Sequence, residues 1–198
     1  MPGDESLVLK SRLAHDFALT LHAFRYSAVF SGMSGIAASL ADFVHELAAP
    51  EVHFLGHSLG GLVIHRFLER FPDQPPGRVV FLGTPSVASR AAEHASRFAP
   101  IAHLMGKSVA EELLRPHERR WTHPDPLGIV AGTQQVGLGQ FLAHFDEDND
   151  GTVAVNETRM PGATDHILLP VSHLGMLVSP RVAHETGLFL TQGHFSLR

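Results

Sequence analysis

Gly56, His57, Ser58, Leu59 and Gly60 form a G-x-S-x-G pentapeptide, and Gly61 follows it directly. A serine hydroxyl is a weak nucleophile near neutral pH. It becomes useful for acyl transfer when the backbone presents it on a sharp turn and a base lies within hydrogen-bond reach. Small neighbours suit such a turn because strand and helix backbones approach closely there. The turn also aims the Ser58 hydroxyl at a helix N-terminus, where unpaired N–H groups and the helix dipole favour developing negative charge. Leu59 N–H is the expected oxyanion donor, with Gly56, His57 and Gly60 supporting the turn. Glycine and serine are common, so the pentapeptide means little unless a strand precedes it and a helix follows.

The base that activates such a serine must itself be oriented by a third group, and the expected chain order is serine, acid, histidine. Past Ser58, Asp150 and His173 are the leading candidates: each falls beyond the end of a candidate strand, at the sheet edge where the serine turn opens and where ligands bind. Asp165 competes with Asp150, and His166, His184 and His194 compete with His173. Asp165 and His166 are expected to open a strand, at the wrong end of the sheet. His184 and His194 fall in or beyond an expected final helix.

The elements that would position these groups are legible in outline. Ile36, Leu40, Phe43, Val44 and Leu47 recur at helical spacing, predicting a helix over about 34–49 with Ser34 as N-cap and Pro50 as stop. Residues 52–55 read as a strand and 62–71 as a buried helix ended by Pro72, giving strand, turn, helix around Ser58. Further strands are expected at 21–26, 79–82, 127–131 and 166–169, and a helix at 6–17. Short buried strands alternating with helices imply an α/β fold, a parallel sheet covered on both faces. Residues 85–126 read as helices between two strands, either a cap or a plain crossover.

Of the 198 residues 44% are hydrophobic and 18% charged, enough for one sizeable core and a single domain over 1–198. A net charge of −5 with scattered Lys and Arg gives no basic footprint for nucleic acid. There is no cysteine, which excludes disulfides and thiolate chemistry. No apolar run approaches the roughly 20 residues of a membrane helix, and the start lacks a basic region followed by an apolar stretch, so a cytoplasmic protein is expected. His53 and His57 are four apart, but on a strand and its turn that spacing does not form the helical pair metal sites favour. No metal is expected there.

Four segments together carry a family likeness: G-H-S-L-G-G at 56–61, G-T-P at 83–85, D-G-T-V at 150–153 and S-H-L-G-M-L at 172–177. The chain resembles bacterial α/β-hydrolases of the lipase and esterase type over roughly 7–195. The resemblance implies Ser58 as nucleophile, Asp150 as acid and His173 as base, and hydrolysis of a small-molecule acyl ester without a cofactor. Members of that family usually begin with a strand ending in a His-Gly loop that supplies the second oxyanion N–H. Met1, Pro2 and Gly3 look like the tail of that loop. The expectation is therefore feeble activity, and a nucleophile strand left with an open edge or newly paired with 21–26. A start upstream of Met1, or a shortened relative kept for binding, would each explain such a chain.

A second motif competes. Residues 146–157 read D-E-D-N-D-G-T-V-A-V-N-E, matching a calcium loop with Asp146, Asp148, Asp150 and Glu157 as candidate ligands. An EF-hand needs a helix on each side, and Pro161 and Gly162 follow within five residues of Glu157. A solvated acidic turn carrying Asp150 is the simpler expectation.

Overall fold

Val79, Val80, Phe81 and Leu82 are all fully buried, which a strand achieves only when its sheet is covered on both faces. The computed structural model, which describes residues 5–26, 32–86, 119–135 and 147–196, supplies that cover. The chain runs through α1 (Glu5–Phe17), α2 (Met33–Leu47), β1 (Phe54–His57), α3 (Leu59–Arg70), β2 (Val79–Leu82), β3 (Leu127–Gly132), β4 (Asp165–Leu169) and α4 (Pro180–Gln192). Short 3₁₀ turns lie at Asn156–Thr158 and Gly175–Leu177. The strands pair in parallel in the order β1-β2-β3-β4.

Alternation along the strands feeds two cores. Phe54, Val79, Phe81, Leu127 and Ile129 pack with α2 and α3, while Val80, Leu82, Val130, Ile167 and Leu169 pack with α1 and α4. The architecture is an α/β sheet wrapped on both faces. No helix among the described residues is long and apolar enough to cross a membrane.

Most boundaries move by a few residues. β1 begins at Phe54 and runs through Gly56 and His57, which pair with Phe81 and Leu82, so the motif's first two residues are strand and Ser58 alone makes the turn. α3 begins at Leu59, earlier than expected, because Gly60 and Gly61 are helical. α2 is capped by Gly32, whose carbonyl accepts from Gly35 and Ile36, and not by Ser34.

The strand expected at 21–26 does not form. Leu19 and Leu21 pack on the α1/α4 core while Phe24 and Tyr26 pack on the α2/α3 core, where Phe24 lies against Tyr26 and Phe43. The segment passes between layers, so its apolar residues serve two cores and not one pleated face. Among the described residues β1 is paired on one side only, with β2.

The helices anticipated between 85 and 126 lie largely outside the described residues. The flanks of that stretch meet: Arg119 N donates to Ser86 O at 3.4 Å, and Ser86 N donates to Glu157 O at 2.6 Å.

One buried carboxylate anchors the C-terminal tail. Glu185 Oε1 accepts from Ser196 Oγ (2.6 Å) and Arg181 Nε (3.0 Å), and Oε2 accepts from Ser196 N (2.8 Å). Burial alone would raise its pKa, but the Ser196 hydrogen bonds and Arg181 together hold it below the ordinary glutamate value. A carboxylate with a depressed folded pKa adds stability above its unfolded pKa, lost as pH falls through the folded one. Glu185→Gln should therefore lower stability at pH 7 by about 1–3 kcal/mol. Chemical denaturation from pH 7 to pH 3 should show the gap closing below about pH 4.3; a gap that does not depend on pH would contradict this.

Candidate active site

Ser58 has φ 53° and ψ −123°, a left-handed backbone that costs a non-glycine residue about 1–3 kcal/mol. Neighbouring bonds hold it there. Ser58 N donates to Leu82 O at 2.8 Å, and its carbonyl accepts from Thr84 Oγ1 (2.9 Å) and Gly61 N (3.1 Å). Two of the three glycines are required by close approach: a Cβ on Gly56 would lie 2.5 Å from Gly61 N, and one on Gly61 would lie 2.2 Å from Thr84 Oγ1. At Gly60 nothing lies within 4 Å, so the motif's second glycine is sterically free and Gly61 carries that constraint. Leu59 is the first residue of α3, so its N–H has no acceptor within the helix.

Asp150 sits in a tight turn built from the chain around it. Its N–H donates to Val153 O at 3.1 Å, Gly151 follows at φ 90°, and Asn149 Oδ1 accepts from Gly151 N at 2.9 Å. The two carboxylate oxygens have separate partners. Oδ1 accepts from Thr152 N (2.9 Å) and Val153 N (2.7 Å), and Oδ2 lies 2.7 Å from His173 Nδ1. The main chains join as well, His173 N donating to Asp150 O at 2.8 Å. Both residues are buried.

Gly83 brings this pair against the serine turn. It follows Leu82, the acceptor of Ser58 N–H, and has φ 54°. A Cβ there would lie 2.9 Å from Asp150 Oδ2 and 3.0 Å from His173 Nδ1. Gly132, at the end of β3, is equally crowded: its Cβ would lie 2.4 Å from Val171 O and 2.7 Å from Asp150 Cβ. Neither glycine carries a signal in isolation, because the crowding comes from residues distant in the chain. Gly83→Ala should cost roughly 1–2 kcal/mol in stability for the backbone alone. By displacing the pair it should also lower any Ser58-dependent rate by about 10²-fold. Thermal melts and initial rates check both; a rate equal to wild type would contradict the crowding.

His57 lies beside the same pair. Its Nε2 is 2.9 Å from His173 O and the two rings are 4.6 Å apart. Burial, helped by nearby His173 and opposed by its backbone hydrogen bond and by Asp150, pushes the His57 pKa down to about 4. His53 turns elsewhere, its Nδ1 accepting from Arg78 N at 3.0 Å, so the two histidines do not form a pair.

The rival residues have partners of their own. Asp165 opens β4 and its carboxylate accepts from His166 N (2.9 Å) and Phe195 N (3.1 Å). His166 Nε2 is 2.9 Å from Thr158 Oγ1, His184 is inside α4 against Phe17, and His194 follows that helix. Of the calcium-loop candidates, Asp148, Asp150 and Glu157 are among the described residues. Asp150 and Glu157 turn inward to backbone N–H groups, Val155 N donates to Asp148 O, and a three-residue 3₁₀ turn stands where the exiting helix would be. Asp146 lies outside the described residues. Among those described, no group of three or more His, Asp or Glu side chains could hold a metal ion.

No family model and no curated protein matches the sequence. Solved structures do resemble the fold. The mature form of a Bacillus licheniformis lipase, BlEst2, superposes with a TM-score of 0.59 at 20% identity, over 83% of this chain and 76% of that one. Its propeptide form is matched over 43% of its length. A pyrethroid hydrolase, PytH, gives 0.62 at 16% identity over 95% and 91% of the two chains. A thermophilic esterase from Thermogutta terrifontis gives 0.60 at 14% identity over 98% and 88%.

Proposed function

Taking as premise that this chain has the α/β-hydrolase fold, we propose that it is a serine hydrolase cleaving a carboxylic ester through Ser58, His173 and Asp150. The observation that carries the reading is the buried Asp150–His173 hydrogen bond, packed against Gly83 beside a serine held in a strained turn. A carboxylate accepts only, so the proton of a neutral His173 sits on Nδ1 and its Nε2 lone pair is free to act as base.

In the proposed sequence His173 Nε2 takes the Ser58 hydroxyl proton as Oγ attacks the acyl carbonyl carbon. Leu59 N–H, at the positive end of α3, receives the developing oxyanion. Collapse of the tetrahedral intermediate breaks the bond to the alcohol, which leaves with the proton from Nε2. Water then attacks the acyl carbon of the Ser58 ester as His173 Nε2 takes its proton, and collapse breaks the Oγ–acyl bond, Oγ regaining that proton as the acid is released. Asp150 holds the imidazole tautomer and stabilises the imidazolium. These steps use only water and the chain's own residues.

The lipase and the esterase among the similar structures support an acyl ester as substrate. A set of p-nitrophenyl esters of graded chain length tests this: Ser58-dependent hydrolysis of at least one is expected. A well-folded sample inactive on all of them would favour instead a hydrolase-fold protein kept for binding.

A further inference from the structure

His57 has no task in the chemistry above, yet it bridges the two halves of the site. A carbonyl oxygen only accepts, so the 2.9 Å approach of Nε2 to His173 O requires the proton on Nε2. With a pKa near 4 the ring holds that single proton at neutral pH. The other two bonds of His173, through its N–H and its Nδ1, both run to Asp150, so neither ties it by a hydrogen bond to the strand that carries Ser58. His57 is peptide-bonded to Ser58 and sits ring-to-ring with His173 at 4.6 Å.

We propose that His57 is a positioning residue: its Nε2–H latches the main chain of His173 to the residue joined covalently to Ser58, so that nucleophile and base are held as one unit. The inference rests on the serine-hydrolase reading. Loss of the latch lets His173 drift relative to Ser58, and a displacement near 1 Å costs about 10²-fold in rate. Substrate binding does not involve the latch, so the loss should appear in kcat and not in KM.

Three variants separate a latch from simple packing. His57→Leu keeps bulk without a donor, His57→Gln carries an N–H donor at the reach of Nε2, and His57→Asn carries one too short to arrive. For p-nitrophenyl acetate hydrolysis, and for the rate of phosphonylation by a fluorophosphonate probe, His57→Leu and His57→Asn should fall about 10- to 100-fold with KM unchanged. His57→Gln should recover most of the rate, with all three melting within a few degrees of one another. A His57→Leu rate equal to wild type, or a His57→Gln rate as low as His57→Leu, overturns the proposal.

Long-range ¹H–¹⁵N spectra of the imidazoles give a reading independent of activity. Wild type should show His57 protonated on Nε2 and His173 on Nδ1, and His57→Leu should leave His173 on Nδ1 because its bond to Asp150 does not involve His57. A His57 protonated on Nδ1 overturns the latch. An inactive, unlabelled wild type with the expected spectra overturns only the hydrolase reading.

Discussion

Ser58→Ala and His173→Ala should each lower ester hydrolysis by roughly four to six orders of magnitude, and the double variant should lose little more. In the proposed mechanism the two groups act as a unit: without the serine there is no nucleophile, and without the imidazole the hydroxyl keeps its proton, so single and combined losses converge. Stability should separate these variants from a glycine at the same position. Ser58 holds φ 53°, which glycine adopts without penalty. Ser58→Gly should therefore be as inactive as Ser58→Ala and more stable than it by about 1–2 kcal/mol. Initial rates on all four variants, and denaturant midpoints for Ser58→Ala and Ser58→Gly, check this. Activity in Ser58→Ala above one hundredth of wild type would remove Ser58 from the mechanism.

Asp150→Asn should reduce turnover by about 10⁴-fold while leaving the fold intact, an effect larger than loss of one negative charge suggests. The reason lies in how its two oxygens are used. Oδ1 accepts from Thr152 N and Val153 N, so an asparagine oxygen is drawn to that side and the amide nitrogen is turned towards His173. An N–H facing Nδ1 demands a lone pair there, which puts the imidazole proton on Nε2 and disables the base. Asp165→Asn serves as control: its carboxylate meets His166 N and Phe195 N at the start of β4, so it should lose some stability and keep its rate. Unchanged turnover in Asp150→Asn beside an inactive Asp165→Asn would reverse the choice of acid.

Much of this arrangement is written locally in the chain. The serine turn is legible because strand, glycine pair and helix are consecutive, and Val79 to Leu82 is legible because four apolar residues in a row need burial on both faces. Chain order and strand-end placement single out Asp150 and His173, which the fold pairs, and Asp165 opens β4 as its position before an apolar run implies. What the sequence hid depends on contacts through space. Gly83 and Gly132 look like ordinary glycines until Asp150, Val171 and His173 are packed against them. His57 reads as filler between Gly56 and Ser58 until its ring meets the His173 carbonyl. The segment at 21–26 misled for a related reason: Leu21, Phe24 and Tyr26 are apolar because they touch two cores, a demand that imitates a strand. The calcium pattern rests on residue types alone; in the folded chain Asp150 and Glu157 meet backbone N–H groups and, for Asp150, His173.

Every step proposed for ester cleavage depends on Ser58 acting as a nucleophile activated by His173. Incubation of the folded protein with a fluorophosphonate probe, followed by peptide mass spectrometry, tests it most directly, because the probe forms a bond only to an activated serine and needs no guess about substrate. One adduct is expected, on Ser58, lost in His173→Ala and slowed in Asp150→Asn. An unlabelled protein, an adduct on any other serine, or Ser58 labelling that persists at full rate in His173→Ala would contradict it.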